Sequence, residues 1–77
     1  MIKVLLFAHL QEKIGKDQLE LEIIQSTVAE LKNKLKNQFQ LYELNSVMTA
    51  INEEYAMDED IVKSGDTVAF IPPVSGG

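Results

Sequence analysis

A chain of 77 residues has room for one sheet and one or two covering helices, near the size at which a single core holds a fold without metals or disulfides. Its formal net charge is -5 at pH 7 and all seven of its basic side chains are lysines, so there is no clustered cationic surface for a phosphate backbone; a basic protein surface is the expected partner, with nucleic acid excluded. No cysteine is present, which excludes disulfides, a thiolate metal site and a thiol nucleophile of its own, and fits a reducing cytoplasm.

The opening run from Met1 to Phe7 is apolar. Ala8 and His9, then Gln11, Glu12 and Lys13, interrupt it far short of the ~20 residues of a bilayer span, and no small-residue cleavage site follows, so it reads as a strand. Ile2, Val4 and Leu6 share one face of that strand, and Lys3, Leu5 and Phe7 the other. Leu10 and Ile14 stand at helical spacing before Gly15, which predicts a turn or two of helix with a glycine stop. Leu19, Leu21 and Ile23 alternate with Glu20 and Glu22, the period of a half-buried strand.

The clearest helix signal follows. Thr27 as N-cap with Glu30 three residues on forms a capping box, and Val28, Leu31, Leu35 and Phe39 trace one apolar stripe opposite a solvated face of Lys32, Lys34, Lys36 and Gln38. Leu41, Tyr42 and Leu44 fit one more helical turn. Val47 to Ile51 then resumes as a strand, and Asn52 to Met57 supplies a short strand to pair with it. Lys63 to Asp66 is a turn whose Gly65 can take positive φ. Thr67 to Ile71 is the last strand, closed by Pro72 and Pro73, which cannot donate ladder hydrogen bonds. The order predicts one α+β domain over residues 1–77, a sheet with helix on one face, and an extended tail over 72–77. Alternation puts Val68 and Phe70 with Val4 and Leu6 in the core, leaving Phe7, Ala69 and Ile71 on the opposite surface.

The catalytic inventory is poor. His9 is the lone histidine, with no second ligand or nucleophile motif beside it, and reads as a polar residue after a strand. Asp58, Glu59 and Asp60 lack the alternating ligands and central glycine of a calcium loop and read as a solvated acidic turn. No phosphate-cradling glycine motif occurs, so no metal or nucleotide site is expected on this chain. What remains is the tail. Pro72 and Pro73 stiffen its exit, while Val74, Ser75, Gly76 and Gly77 taper to a tip without bulk. Such a probe can enter a tunnel closed to larger residues and present the carboxylate of Gly77 there.

Three segments carry a likeness to a known family: KVLLFAHLQEKIG from Lys3 to Gly15, AINEEY from Ala50 to Tyr55, and SGDTVAFIPPVSGG from Ser64 to Gly77. The chain resembles the small subunits of molybdopterin synthase, ubiquitin-like sulfur carriers, over essentially its whole length. The resemblance implies a β-grasp fold, with a mixed sheet of about five strands, one main helix and one or two short helices. It implies that a partner ATP-dependent enzyme adenylates Gly77, and that sulfur from a donor protein converts it to a thiocarboxylate. Inserted into the large subunit, with Pro72, Pro73, Val74, Ser75 and Gly76 in the tunnel, the tail would give sulfur to a pterin precursor, cyclic pyranopterin monophosphate, to form the molybdopterin dithiolene. By the same resemblance the chain is non-catalytic alone and holds no cofactor, ATP being used by the activating enzyme. The catalytic side chains lie on the large subunit of a cytoplasmic heterotetramer, and Phe7, Tyr55, Ala69 and Ile71 belong to the partner interface. The pattern departs at Gln11, where arginine is frequent.

Two rivals share features with this reading. A thiazole-pathway sulfur carrier has the same fold and glycine end, but is usually shorter, with a tight hairpin where Leu10 to Ile14 stands here. A ubiquitin-like modifier would instead be joined to lysines of other proteins. A purely structural adaptor, with an inert terminus, is the remaining possibility.

Overall fold

The computed structural model describes residues 1–72. Its main sheet has five strands in the order β2-β1-β7-β4-β5, built from β1 (Ile2–Leu6), β2 (Gln18–Leu21), β4 (Met48–Ile51), β5 (Glu54–Ala56) and β7 (Thr67–Ile71). Only β1 and β7 run parallel; the other pairs in the sheet are antiparallel. The first and last strands therefore lie side by side at the centre and end at the same edge, so the chain leaves the sheet after Ile71 close to where Phe7 leaves it.

Alternation decides the core. Ile2, Val4 and Leu6 of β1 and Val68 and Phe70 of β7 are buried, with Val4 opposite Val68 and Leu6 opposite Phe70. The helix α2 (Val28–Phe39) covers this face with Val28, Leu31 and Leu35. Each such side chain taken from water is worth roughly 1.5–3 kcal/mol, set against the entropy of ordering the chain.

The N-terminus of α2 is fully satisfied. Thr27 Oγ1 accepts from Glu30 N at 3.1 Å, and Glu30 Oε1 accepts from Thr27 N at 3.1 Å. Val28 N donates to Asp60 O at 3.0 Å, and Ala29 N to Asp58 O at 3.0 Å. All four N–H groups that a helix leaves orphaned thus have partners. The acidic turn is exposed, as the sequence predicts, and its backbone carbonyls also cap this helix. Its side chains also contribute: Lys32 Nζ pairs with Asp58 Oδ1 at 2.9 Å, and Asp60 Oδ2 accepts from Met57 N at 2.8 Å. The Thr27 N–H, then its hydroxyl, holds the Glu30 carboxyl below its ordinary value.

The short helix α1 (His9–Ile14) forms where Leu10 and Ile14 place it and stops at Gly15, whose φ of 83° is left-handed. A 3-10 turn over Tyr42–Ser46 follows α2 and buries Leu41 and Leu44. Asn52 and Glu53 join β4 to β5 with φ of 50° and 71°, the two positive values that a two-residue type I′ hairpin requires. Holding glutamate there costs about 1 kcal/mol relative to glycine.

Three expectations are corrected. The strand predicted over Asn52 to Met57 is confined to Glu54–Ala56, because positive φ turns the chain at Asn52 and Glu53. The second strand stops at Leu21, and Ile23 lies beyond it with its N–H on Leu21 O. A separate two-stranded antiparallel sheet, β3 (Gln25–Thr27) with β6 (Ile61–Lys63), has no counterpart in the sequence reading. Three-residue strands give alternation too few positions to register, and Gln25, Ser26 and Thr27 are all polar. Thr49 is the exception within the core: it is 4% exposed and its Oγ1 has no hydrogen-bond partner.

Candidate docking face and tail exit

The outer side of the sheet is also apolar. Register lines up Leu5, Ala69, Ala50 and Tyr55 across β1, β7, β4 and β5, one residue from each strand on the same face. The small side chains of Ala69 and Ala50 leave a trough between the larger flanks. A depression of about 620 Å³ follows, lined by Leu5, Phe7, Ala50, Asn52, Glu53, Tyr55, Thr67, Ala69 and Ile71. Phe7 is 43% and Tyr55 75% exposed, so two aromatic rings stand at its margins with much of their surface in water. Met48, paired in register with Ile71 and 47% exposed, extends the apolar surface towards β5.

The four residues that the sequence reading assigned to an interface, Phe7, Tyr55, Ala69 and Ile71, are brought together around this one depression. Leu5 was placed on the right face but not named with them. Ala50, Asn52, Glu53 and Thr67 were missed. Ala50 and Thr67 were legible in principle, since the pairing of β7 with β4 puts alternate residues of both on the outer face. Asn52 and Glu53 required the turn to be located.

One end of the depression is fastened by a polar lattice. Asn52 N donates to Thr67 O at 2.8 Å, and Thr67 N donates to Asn52 Oδ1 at 3.0 Å. Asn52 Nδ2 donates to Asp66 Oδ1 at 3.0 Å, while Lys63 N donates to Asp66 Oδ2 at 2.9 Å. These bonds tie the β4–β5 turn to the start of β7 and fix the floor relative to Tyr55. The Lys63 N–H, then the Asn52 amide and the Lys63 charge, hold the Asp66 carboxyl below its ordinary value.

At the other end β7 delivers the tail. Pro72, which the sequence reading counted with the tail, is buried against the domain. Pro73, Val74, Ser75, Gly76 and Gly77 lie outside the described residues. Gln11 is exposed on α1, and His9 begins that helix. Among the described residues no group of three or more His, Cys, Asp and Glu side chains is placed to hold a metal ion, and no helix is long and apolar enough to cross a membrane. Among the described residues this face offers apolar area, the Glu53 carboxylate, the polar groups of Asn52, Tyr55 and Thr67, and exposed Lys3 beside Thr67.

Comparison with known proteins gives a consistent result. The model of the ThiS family matches residues 4–77. A molybdopterin synthase sulfur carrier subunit from Dictyostelium discoideum is 43% identical over 81 residues, covering 97% of this chain and 94% of the relative. Among solved structures, a putative molybdopterin converting factor subunit 1 from Pyrococcus furiosus superposes with a TM-score of 0.80 at 27% identity, over 95% of this chain and 97% of that one. The small archaeal modifier SAMP1 from Haloferax volcanii superposes with a TM-score of 0.81 at 25% identity, over 99% and 98%.

Proposed function

This chain belongs to the ThiS family, and we propose that it is the sulfur carrier subunit of a molybdopterin synthase, with the carboxyl carbon of Gly77 as the atom that carries the sulfur. The observation that carries the reading is the sheet itself: an outer face that is apolar around Phe7, Tyr55, Ala69 and Ile71 runs directly, through β7, into the Pro72–Gly77 segment. A partner docked on that face meets the end of β7 and Pro72, from which the tail continues.

A carboxylate is a poor electrophile. Attack of the Gly77 carboxylate on the α-phosphorus of ATP, held by an activating enzyme, releases pyrophosphate and leaves an acyl-adenylate, whose AMP is a good leaving group. Hydrosulfide supplied by a donor protein then attacks the acyl carbon, the bond from that carbon to the phosphate oxygen breaks and AMP departs, and loss of the sulfur's proton leaves the thiocarboxylate. The chain has no cysteine, so that sulfur comes from elsewhere. Seated in the large subunit, the thiocarboxylate sulfur attacks the pterin precursor, cyclic pyranopterin monophosphate, on the way to the dithiolene. Glycines at Gly76 and Gly77 and the small Ser75 suit the passage, because side chains there would widen the tip. The large subunit supplies the catalytic side chains, in a cytoplasmic assembly, and this chain holds no cofactor of its own.

The test is intact mass. After coexpression with its activating enzyme and a sulfur source, the purified chain should gain about 16 Da, the exchange of oxygen for sulfur at a carboxylate carrier. An unchanged mass under conditions that charge an authentic carrier would overturn the proposal. The likeness to an archaeal modifier favours one second reading, conjugation to lysines. Isopeptide-linked products in place of sulfur uptake would identify it.

A further inference from the structure

Glu53 is the only acid among the residues lining the outer depression. It occupies the second position of the β4–β5 turn at φ 71°, where a Cβ crowds the following carbonyl and glycine folds better. The carboxylates of Glu30, Asp58, Asp60 and Asp66 are each used by the fold, in a cap, an ion pair or a turn, while Glu12, Asp17, Glu20, Glu22, Glu54 and Glu59 are exposed like Glu53 but line no part of this depression. The side chain of Glu53 is exposed and, among the described residues, has neither a hydrogen bond nor an ion pair. This acid therefore works against the backbone and gives nothing to the domain in return. Strain of this kind, at the margin of an apolar face, points to use outside the domain.

We infer that Glu53 is the charge-selecting residue of the docking face, pairing with a lysine or arginine at the rim of the large subunit's surface. The inference rests on the docking role given to this face above. Tyr55 lies two residues on, across the β5 margin, so the carboxylate sits beside area that the partner would dry. An ion pair at such an edge is less screened than one in open water. The lattice of Asn52, Asp66 and Thr67 holds the turn in place, so the charge is presented at a fixed point. A rim charge of this kind acts mainly on the rate of association and its salt dependence. It selects partners that place a cation opposite and rejects those with an acid there.

The experiment measures association of the full chain with its large subunit at low and high salt, for the wild type and for Glu53→Gln, Glu53→Lys, Glu53→Gly and Phe7→Asp, each with its melting temperature. At low salt, association should slow about threefold for Glu53→Gln and Glu53→Gly and roughly tenfold for Glu53→Lys, with a flatter or inverted salt dependence. Glu53→Gly should at the same time melt at a higher temperature than the wild type, separating the binding role from the folding cost. Wild-type rates and salt dependence in all three Glu53 variants, with Phe7→Asp losing affinity, would overturn the charge assignment and leave the docking face standing. Unaltered affinity in a folded Phe7→Asp chain would remove the docking face and this assignment with it.

Discussion

Ala69 is the position at which the docking face is most exposed to test. It sits in the central strand with Leu5 and Ala50 beside it in register, on the floor of the depression. Ala69→Asp places a carboxylate there. Lys3, on the same face and paired with Thr67, is diagonal to the site, roughly 7–8 Å away for such neighbours and within reach of a long side chain, so it offers the new carboxylate at most a solvent-exposed pair worth less than about 1 kcal/mol. In the free domain the new carboxylate meets water, and the cost is that of aspartate in a strand, up to about 1 kcal/mol. That lowers the melting temperature by roughly 4–8 °C in a domain of this size. In the complex the same group is dried with no partner placed for it by the docked surface, which costs about 2–5 kcal/mol more. At 1.4 kcal/mol per tenfold, affinity for the large subunit should fall roughly 30-fold to several thousand-fold. Titration calorimetry alongside a thermal melt reads both quantities. A dissociation constant within about threefold of wild type, in a folded variant, would refute the assignment of this face to the partner.

Thr27→Ala removes the acceptor for Glu30 N and loosens the reciprocal bond; thermal melts should show a loss of about 1 kcal/mol, or roughly 4–8 °C. Glu30 and Asp66 have carboxyls held below their ordinary values of 4.5 and 3.8, so they bind fewer protons folded than unfolded. Their contribution is complete above those ordinary values and is lost as pH falls through the lower folded ones; Glu30→Gln with Asp66→Asn should flatten the acid limb of a stability–pH curve, and an unchanged limb would contradict it. Thr49→Val replaces a buried hydroxyl that lacks a hydrogen-bond partner and should leave stability equal or raise it by about 1 kcal/mol in denaturant unfolding. Gly76→Ala, or deletion of Gly77, should abolish sulfur transfer to the pterin with the melting temperature nearly unmoved, and ordinary thiocarboxylation of a chain lacking Gly77 would argue strongly against the mechanism.

What the sequence made legible follows the physics of each element. The capping box at Thr27 and Glu30, the stripe of Val28, Leu31 and Leu35, and the stop at Gly15 are local signals, and each appears where its chemistry places it. The faces of β1 and β7 follow from a period of two that needs only the strand itself. What escaped depends on chain distant in sequence. The β3–β6 pair joins two three-residue strands whose meeting is decided by tertiary packing. The acidic turn becomes a helix cap only because the fold brings Asp58 and Asp60 beside Val28 and Ala29. Asn52 and Glu53 lack the glycine that marks a two-residue hairpin, so the turn leaves no ordinary trace. The tail was singled out by its composition, and its role is argued from the family and from the face that leads to it.

The central strands also record a condition that the isolated domain does not meet. A sheet with one face in water should alternate apolar with polar residues. In β7 the inward positions are Val68 and Phe70, and two of the three outward ones are Ala69 and Ile71; β1 likewise sets Leu5, and then Phe7, opposite Val4 and Leu6. That is the pattern of strands covered on both sides. One cover is α2, and for the other the domain has no element among its described residues. Polar alternation returns at the edge, where Glu20 of β2 is exposed between the half-buried Leu19 and Leu21, as it should where no partner arrives. Apolar area confined to the middle of the outer face, adjoining the strand that delivers Gly77, is therefore what an interface requires if a second protein completes the sandwich each time the tail is used.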